Sequence, residues 1–238
     1  MKPEDNHLVE TIKSIFVPIH PAGWGFIAAF ASISLILSLF SSIFIFIGLI
    51  VTTWCVYFFR NPPRVTPIRE GLIVSPADGV VQSISKVIPP AELELGEAER
   101  TRISIFMNVF NVHVNRIPIT GSISRICYKA GKFLNASLDK ASAENEQNLI
   151  KITTPDDNTI GVVQIAGLVA RRILCDLIEG QPVKTGEEFG IIRFGSRVDV
   201  YLPPEATTLV MVGQSAVGGE TVLADLKSNE TSRVGTKH

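Results

Sequence analysis

From Ser14 to Phe59 the chain contains no Asp, Glu, Lys or Arg. That stretch divides into two apolar runs, Ala22 to Phe40 and Ile43 to Phe59, separated by Ser41 and Ser42. The runs hold 19 and 17 residues, and a helix needs about 17–25 to cross the hydrocarbon core. The pattern predicts an N-terminal transmembrane helical hairpin over 22–59, after an N-terminal cytoplasmic segment over 1–21. A single span with an interfacial extension is the competing reading. A cleaved signal peptide fits poorly, because its apolar core is shorter and ends at a small-residue cleavage site. Trp24, Trp54 and Tyr57 lie near the outer ends of the runs, where aromatic belts form. Lys2 and Lys13 precede the segment, and Arg60 and Arg64 follow it. Positive charge on both flanks places both ends, and the domain that follows, on the cytoplasmic side of the cell membrane. Arg60 and Arg64 either anchor that topology or hold the domain against anionic headgroups.

The remainder reads as a neutral catalytic domain over 60–226 and a flexible polar tail over 227–238. Net charge is −1, apolar content is 46% and there are three cysteines. That composition excludes a disordered chain, a general nucleic-acid binder and a disulfide scaffold. Short alternating or apolar runs recur at 72–75, 80–88, 102–109, 112–117 and 121–131, and again from Asn148 to Gly213. Gly, Pro and Asp punctuate them, which argues for strands rather than βαβ units. The expected fold is mainly β (α+β), a compact barrel or sandwich with a few short helices. Segments 91–100 and 133–148 read as helical or irregular, and 168–177 as either. His7, His20, His113 and His238 form no spaced pair, and Cys127 and Cys175 lack metal spacing, so no metal is expected. No Gly-rich phosphate loop is present.

Three polar features stand out. Asp78, in SPADG, reads most simply as a turn carboxylate bonding its own backbone. His113, in MNVFNVHVNRIP, is the one histidine inside the expected folded core. It reads as a satisfied core residue or as a proton-transfer group. Gly195 and Ser196, in RFGSRVDVYLP, read as a bend between strands.

The order and spacing of FFRNPPR, SPADG, VFNVHVNRIP and FGSRVDVYLP make the chain resemble the phosphatidylserine decarboxylase family, in its short bacterial or archaeal type. The resemblance runs from about Pro18 to Asp225 and includes GKFLNAS, ENEQN and GLVARRI. It implies a chain that makes its own cofactor. Ser196 would attack the Gly195 carbonyl, and elimination would release a chain ending at Gly195. Residue 196 would become a covalent pyruvoyl group at the head of a 43-residue chain that stays associated with the larger one. A serine hydroxyl needs a base within reach. His113 is expected to be that base, with Asp78 orienting the imidazole. The mature enzyme would then convert phosphatidylserine to phosphatidylethanolamine, with the pyruvoyl carbonyl taking up electron density as carbon dioxide leaves.

Longer relatives carry a second His three residues after the first, where this chain has Arg116. Many carry Thr after the attacking Ser, where this chain has Arg197. Either guanidinium could hold the lipid headgroup. An ether-linked archaetidylserine would be decarboxylated by the same chemistry. A membrane-tethered, lipoyl-like β-barrel adaptor is the non-enzymatic alternative. The lipid substrate is the expected partner, with no nucleic acid, and a homo-oligomer stays open.

Overall fold

A computed structural model describes residues 17–131, 144–167, 172–193, 195–231 and 233–236. The chain forms two compact units, Met1–Pro63 and Arg64–His238.

In the first unit a 3-10 turn, Pro21–Gly23, leads into α1, Trp24–Ser38. Turn and helix together give one 18-residue segment long and apolar enough to cross a membrane. A second, shorter apolar helix, α2, spans Ile43–Phe58. The two pack antiparallel. Phe26 stacks on Phe59 with ring centroids 5.5 Å apart, and near the other end Gly48 faces Ser34. A Cβ on Gly48 would lie 2.2 Å from that of Ser34, so glycine is what permits the close approach. Leu35, Leu39, Phe40, Phe46 and Ile50 are all exposed. That is the reverse of a water-soluble helix pair, in which such side chains pack inward.

The second unit is almost entirely β, as its alternating sequence predicts. Its strands are β1 (Leu72–Val74), β2 (Gly79–Val87), β3 (Arg100–Met107), β4 (Val114–Arg116), β5 (Gly121–Lys129), β6 (Gln147–Thr153) and β7 (Thr159–Ala166). There follow β8 (Ile173–Cys175), β9 (Pro182–Val183), β10 (Glu188–Ile192), β11 (Ser196–Tyr201), β12 (Thr207–Thr208), β13 (Ser215–Ala216) and β14 (Val222–Asp225). Eight of them form an antiparallel sheet in the order β13-β2-β3-β11-β7-β6-β5-β9. Two three-stranded sheets, β1-β14-β12 and β4-β10-β8, complete the domain. Val81 on β2 and Ile123 on β5 lie near opposite edges of the large sheet, yet both enter one core with Ile105, Val162 and Val198. The sheet therefore curls around that core.

Segment 91–100 has only a short 3-10 turn, Ala91–Leu93, before β3 begins. Most of 133–148 lies outside the described residues. The part of 168–177 that is described forms β8.

Candidate active site

Strand β11 runs down the middle of the large sheet, between β3 and β7. Its first residue, Ser196, pairs with Met107 on one side and Ala166 on the other. Alternation along a strand sends Ser196, Val198 and Val200 to the core face. Ser196 is fully buried, and its hydroxyl donates to the Met107 sulfur at 3.3 Å. Just before it, Gly195 takes a positive φ of 70°, a conformation that costs other residues roughly 1–2 kcal/mol. Among the described residues other than its chain neighbours, nothing lies within 4 Å of the position its Cβ would occupy. The bend expected at this point is where the chain enters β11.

The carbonyl between Gly195 and Ser196 is held. The Gly167 N–H, at the end of β7, donates to the Gly195 oxygen at 3.1 Å. At the nitrogen of the same glycine stands His113, also fully buried. Its Nδ1 lies 3.0 Å from the Asn111 carbonyl, and a carbonyl can only accept, so Nδ1 carries the proton. Nε2 is then unprotonated and accepts from the Gly195 N–H at 3.3 Å. Asn111 is set by a tight turn. Its N–H donates to the Asn108 carbonyl at 3.0 Å, and its side-chain oxygen accepts from the Asn108 N–H at 2.9 Å. The sequence NVFNVH thus folds so that one imidazole tautomer is held against the Gly195 N–H. Among the described residues, no three His, Cys, Asp or Glu side chains group as metal ligands.

The Gly195 carbonyl is thus held by a backbone donor and followed by a buried serine, and the N–H of the same glycine is held by an unprotonated imidazole nitrogen. A family model described as phosphatidylserine decarboxylase matches residues 51–224. A phosphatidylserine decarboxylase proenzyme of Cereibacter sphaeroides is 56% identical over 227 residues, covering 95% of this chain and 98% of that protein. Another, of Nitrobacter winogradskyi, is 55% identical over 220 residues, covering 92% and 89%. The chain belongs to the phosphatidylserine decarboxylase family. It is a decarboxylase by that membership.

The other residues expected near His113 have the following partners. Asp78 does not orient His113. Its carboxylate accepts from one Arg64 nitrogen at 2.7 and 2.9 Å and from the Gly218 N–H at 2.7 Å. Strand β3 separates β2 from β11, so Asp78 starts about two strand spacings, ~10 Å, from Ser196. The Asn111 carbonyl occupies the place expected for the carboxylate. Arg64, with its side chain only 12% exposed in this ion pair, is not a free headgroup contact. Arg60 bonds back to the Tyr57 carbonyl and sits 3.7 Å over the Tyr57 ring.

Arg116 lies on the opposite face of β4 from His113. It donates to the Gly186 carbonyl at 3.0 Å and to Glu188 at 3.1 Å. Burial pulls its pKa below the usual guanidinium value, with Glu188 opposing the shift. Arg197 points to the sheet face away from Ser196, where it is 2% exposed and ion-paired with Asp199 at 2.8 Å. Neither guanidinium stands beside His113 as a headgroup ligand. Two groups at the site had no expected role in the sequence. The Gly167 amide carries no side-chain signal. Met107 read simply as a core residue of its strand.

Proposed function

We propose that the chain cuts itself between Gly195 and Ser196, and then decarboxylates phosphatidylserine to phosphatidylethanolamine. The observation that carries this reading is the Gly167 N–H on the Gly195 oxygen, with the unprotonated Nε2 of His113 beside the same residue. The Ser196 hydroxyl turns from Met107 and attacks the Gly195 carbonyl carbon. The oxygen gains negative charge against the Gly167 donor, and such a preorganised donor is worth about 10²–10³ in rate. The hydroxyl proton passes to Nε2 of His113. The carbon–nitrogen bond breaks, the nitrogen takes a proton, and an ester joins Gly195 to the Ser196 side chain. His113 then removes the Ser196 α-proton. The Cβ–Oγ bond breaks, and its electron pair leaves with the Gly195 carboxylate. Water replaces the enamine nitrogen of residue 196, and ammonia departs.

The residues present suit a pyruvoyl group at position 196. The position is buried at a strand start, and the Gly167 N–H donor lies on the adjoining Gly195 oxygen. Once formed, the group supplies a carbonyl that takes up the electron pair released with carbon dioxide. His113, with Nε2 3.3 Å from the Gly195 nitrogen, is the group proposed to return a proton to the product. The relatives in Cereibacter sphaeroides and Nitrobacter winogradskyi are named as proenzymes, and a proenzyme is what self-cleavage requires.

The apolar first unit supports insertion in the membrane, which keeps the site near a substrate whose acyl chains hold it there. The Ser196→Ala chain is expected to stay uncut and to release no carbon dioxide from phosphatidylserine vesicles. Activity in that variant would refute the reading.

A further inference from the structure

His113, just before β4, contacts Gly195, and two residues on, Asn115 of β4 contacts Met107, the β3 partner of Ser196. Asn115 is fully buried and ends a chain of amides. Asn148 on β6 faces Gln164 on β7 directly across the sheet, and its Nδ2 donates to Gln164 Oε1 at 2.9 Å. Gln164 Nε2 donates to Asn115 Oδ1 at 2.8 Å. Each bond dictates the next. An amide that accepts through its oxygen presents its nitrogen at the other end. The chain finishes in a donor, Asn115 Nδ2, which is the end that faces the Pro76 carbonyl, an acceptor.

That donor meets weak acceptors. The Pro76 carbonyl is 3.5 Å away, at the edge of hydrogen bonding, and the Met107 sulfur is 4.0 Å away. The same sulfur accepts from the Ser196 hydroxyl at 3.3 Å. A buried N–H group is thus aimed at the reacting serine, with one flexible thioether between them. A buried donor held so poorly is costly unless a better acceptor arrives.

We propose that Asn115 is a further catalytic residue of self-cleavage, donating to the Ser196 oxygen as the Cβ–Oγ bond breaks. Gln164 and Asn148 are positioning residues that keep its nitrogen, not its oxygen, toward that atom. The electron pair of the breaking bond moves onto the oxygen, which becomes part of the Gly195 carboxylate. The Asn115 N–H stabilises the charge that builds there. This inference rests on the self-cleavage reading above.

The test uses the full chain and two variants. Asn115→Leu removes the donor. Gln164→Glu presents only acceptors to Asn115, so the amide turns its nitrogen inward and its oxygen toward Ser196. In both, elimination should slow by about 10²-fold, leaving a full-length ester. Neutral hydroxylamine splits such an ester between residues 195 and 196. Thermal melts check that both variants fold, and a structural role alone would leave no hydroxylamine-labile chain. Cleavage of either folded variant at the wild-type rate overturns the proposal. So does a full-length chain that resists hydroxylamine. If the wild-type chain itself never cuts, the self-cleavage reading falls and takes this inference with it. A cut wild type beside equally cut variants removes this inference alone.

Discussion

His113 shows how much chemistry one side chain acquires from its neighbours. Free imidazole exchanges between tautomers. Here the Asn111 carbonyl, 3.0 Å from Nδ1, selects the form with Nε2 unprotonated. That nitrogen already faces the Gly195 amide. His113→Ala should therefore slow appearance of the 43-residue chain by about 10²-fold or more, timed on denaturing gels. Cleavage at the wild-type rate would assign the base elsewhere. The residues that stand out in the sequence are those whose chemistry is rare: one histidine in the folded core, and a Gly-Ser step before an alternating strand, the step at which self-cleavage is proposed. Asp78 pairs with groups far from it in the sequence. A turn carboxylate takes whatever donors surround it, and Arg64 and the Gly218 amide were invisible as its partners until the chain folded.

At the scale of elements, the site is a consequence of register. Ser196 opens β11 opposite Ala166, so the residue after Ala166 arrives with its N–H on the Gly195 oxygen. Replacing Gly167 with Ala keeps that donor, whereas replacing it with Pro removes it. Gly167→Ala should process near the wild-type rate and Gly167→Pro about 10²-fold more slowly. Equal rates in two folded variants, measured by mass spectrometry over time, would remove the oxyanion role. The alternating runs made most of the long strands readable, because a half-buried sheet imposes a period of two. β8, β9, β13 and β14 were not readable as separate strands. At two to four residues each, they are too short to show a period, and tertiary pairing creates them. Arg197 is the same lesson at one position. Only alternation from Ser196 shows that its side chain belongs to the other face, paired with Asp199.

Across the whole molecule, the two units differ in what they expose. The unit Met1–Pro63 exposes large apolar side chains such as Leu39 and Phe40, while the second unit buries its own around one core. The two helices should thus hold the full chain in the bilayer. Alkaline carbonate washing of membranes is expected to leave it in the pellet, and release into the supernatant would contradict insertion. The charge-free run was the plainest feature of the sequence, because nothing else in a chain of this length spends so many residues without a charge.

The central claim is that the 238-residue chain is a precursor that makes its own reactive group. Intact-mass analysis of the purified active protein tests it most directly. The account predicts two chains, Met1–Gly195 and a 43-residue chain from position 196. The smaller should be blocked to N-terminal sequencing, with a mass matching a pyruvoyl rather than a serine at its head. An active preparation containing only the uncut chain, or a small chain beginning with free serine, would contradict it.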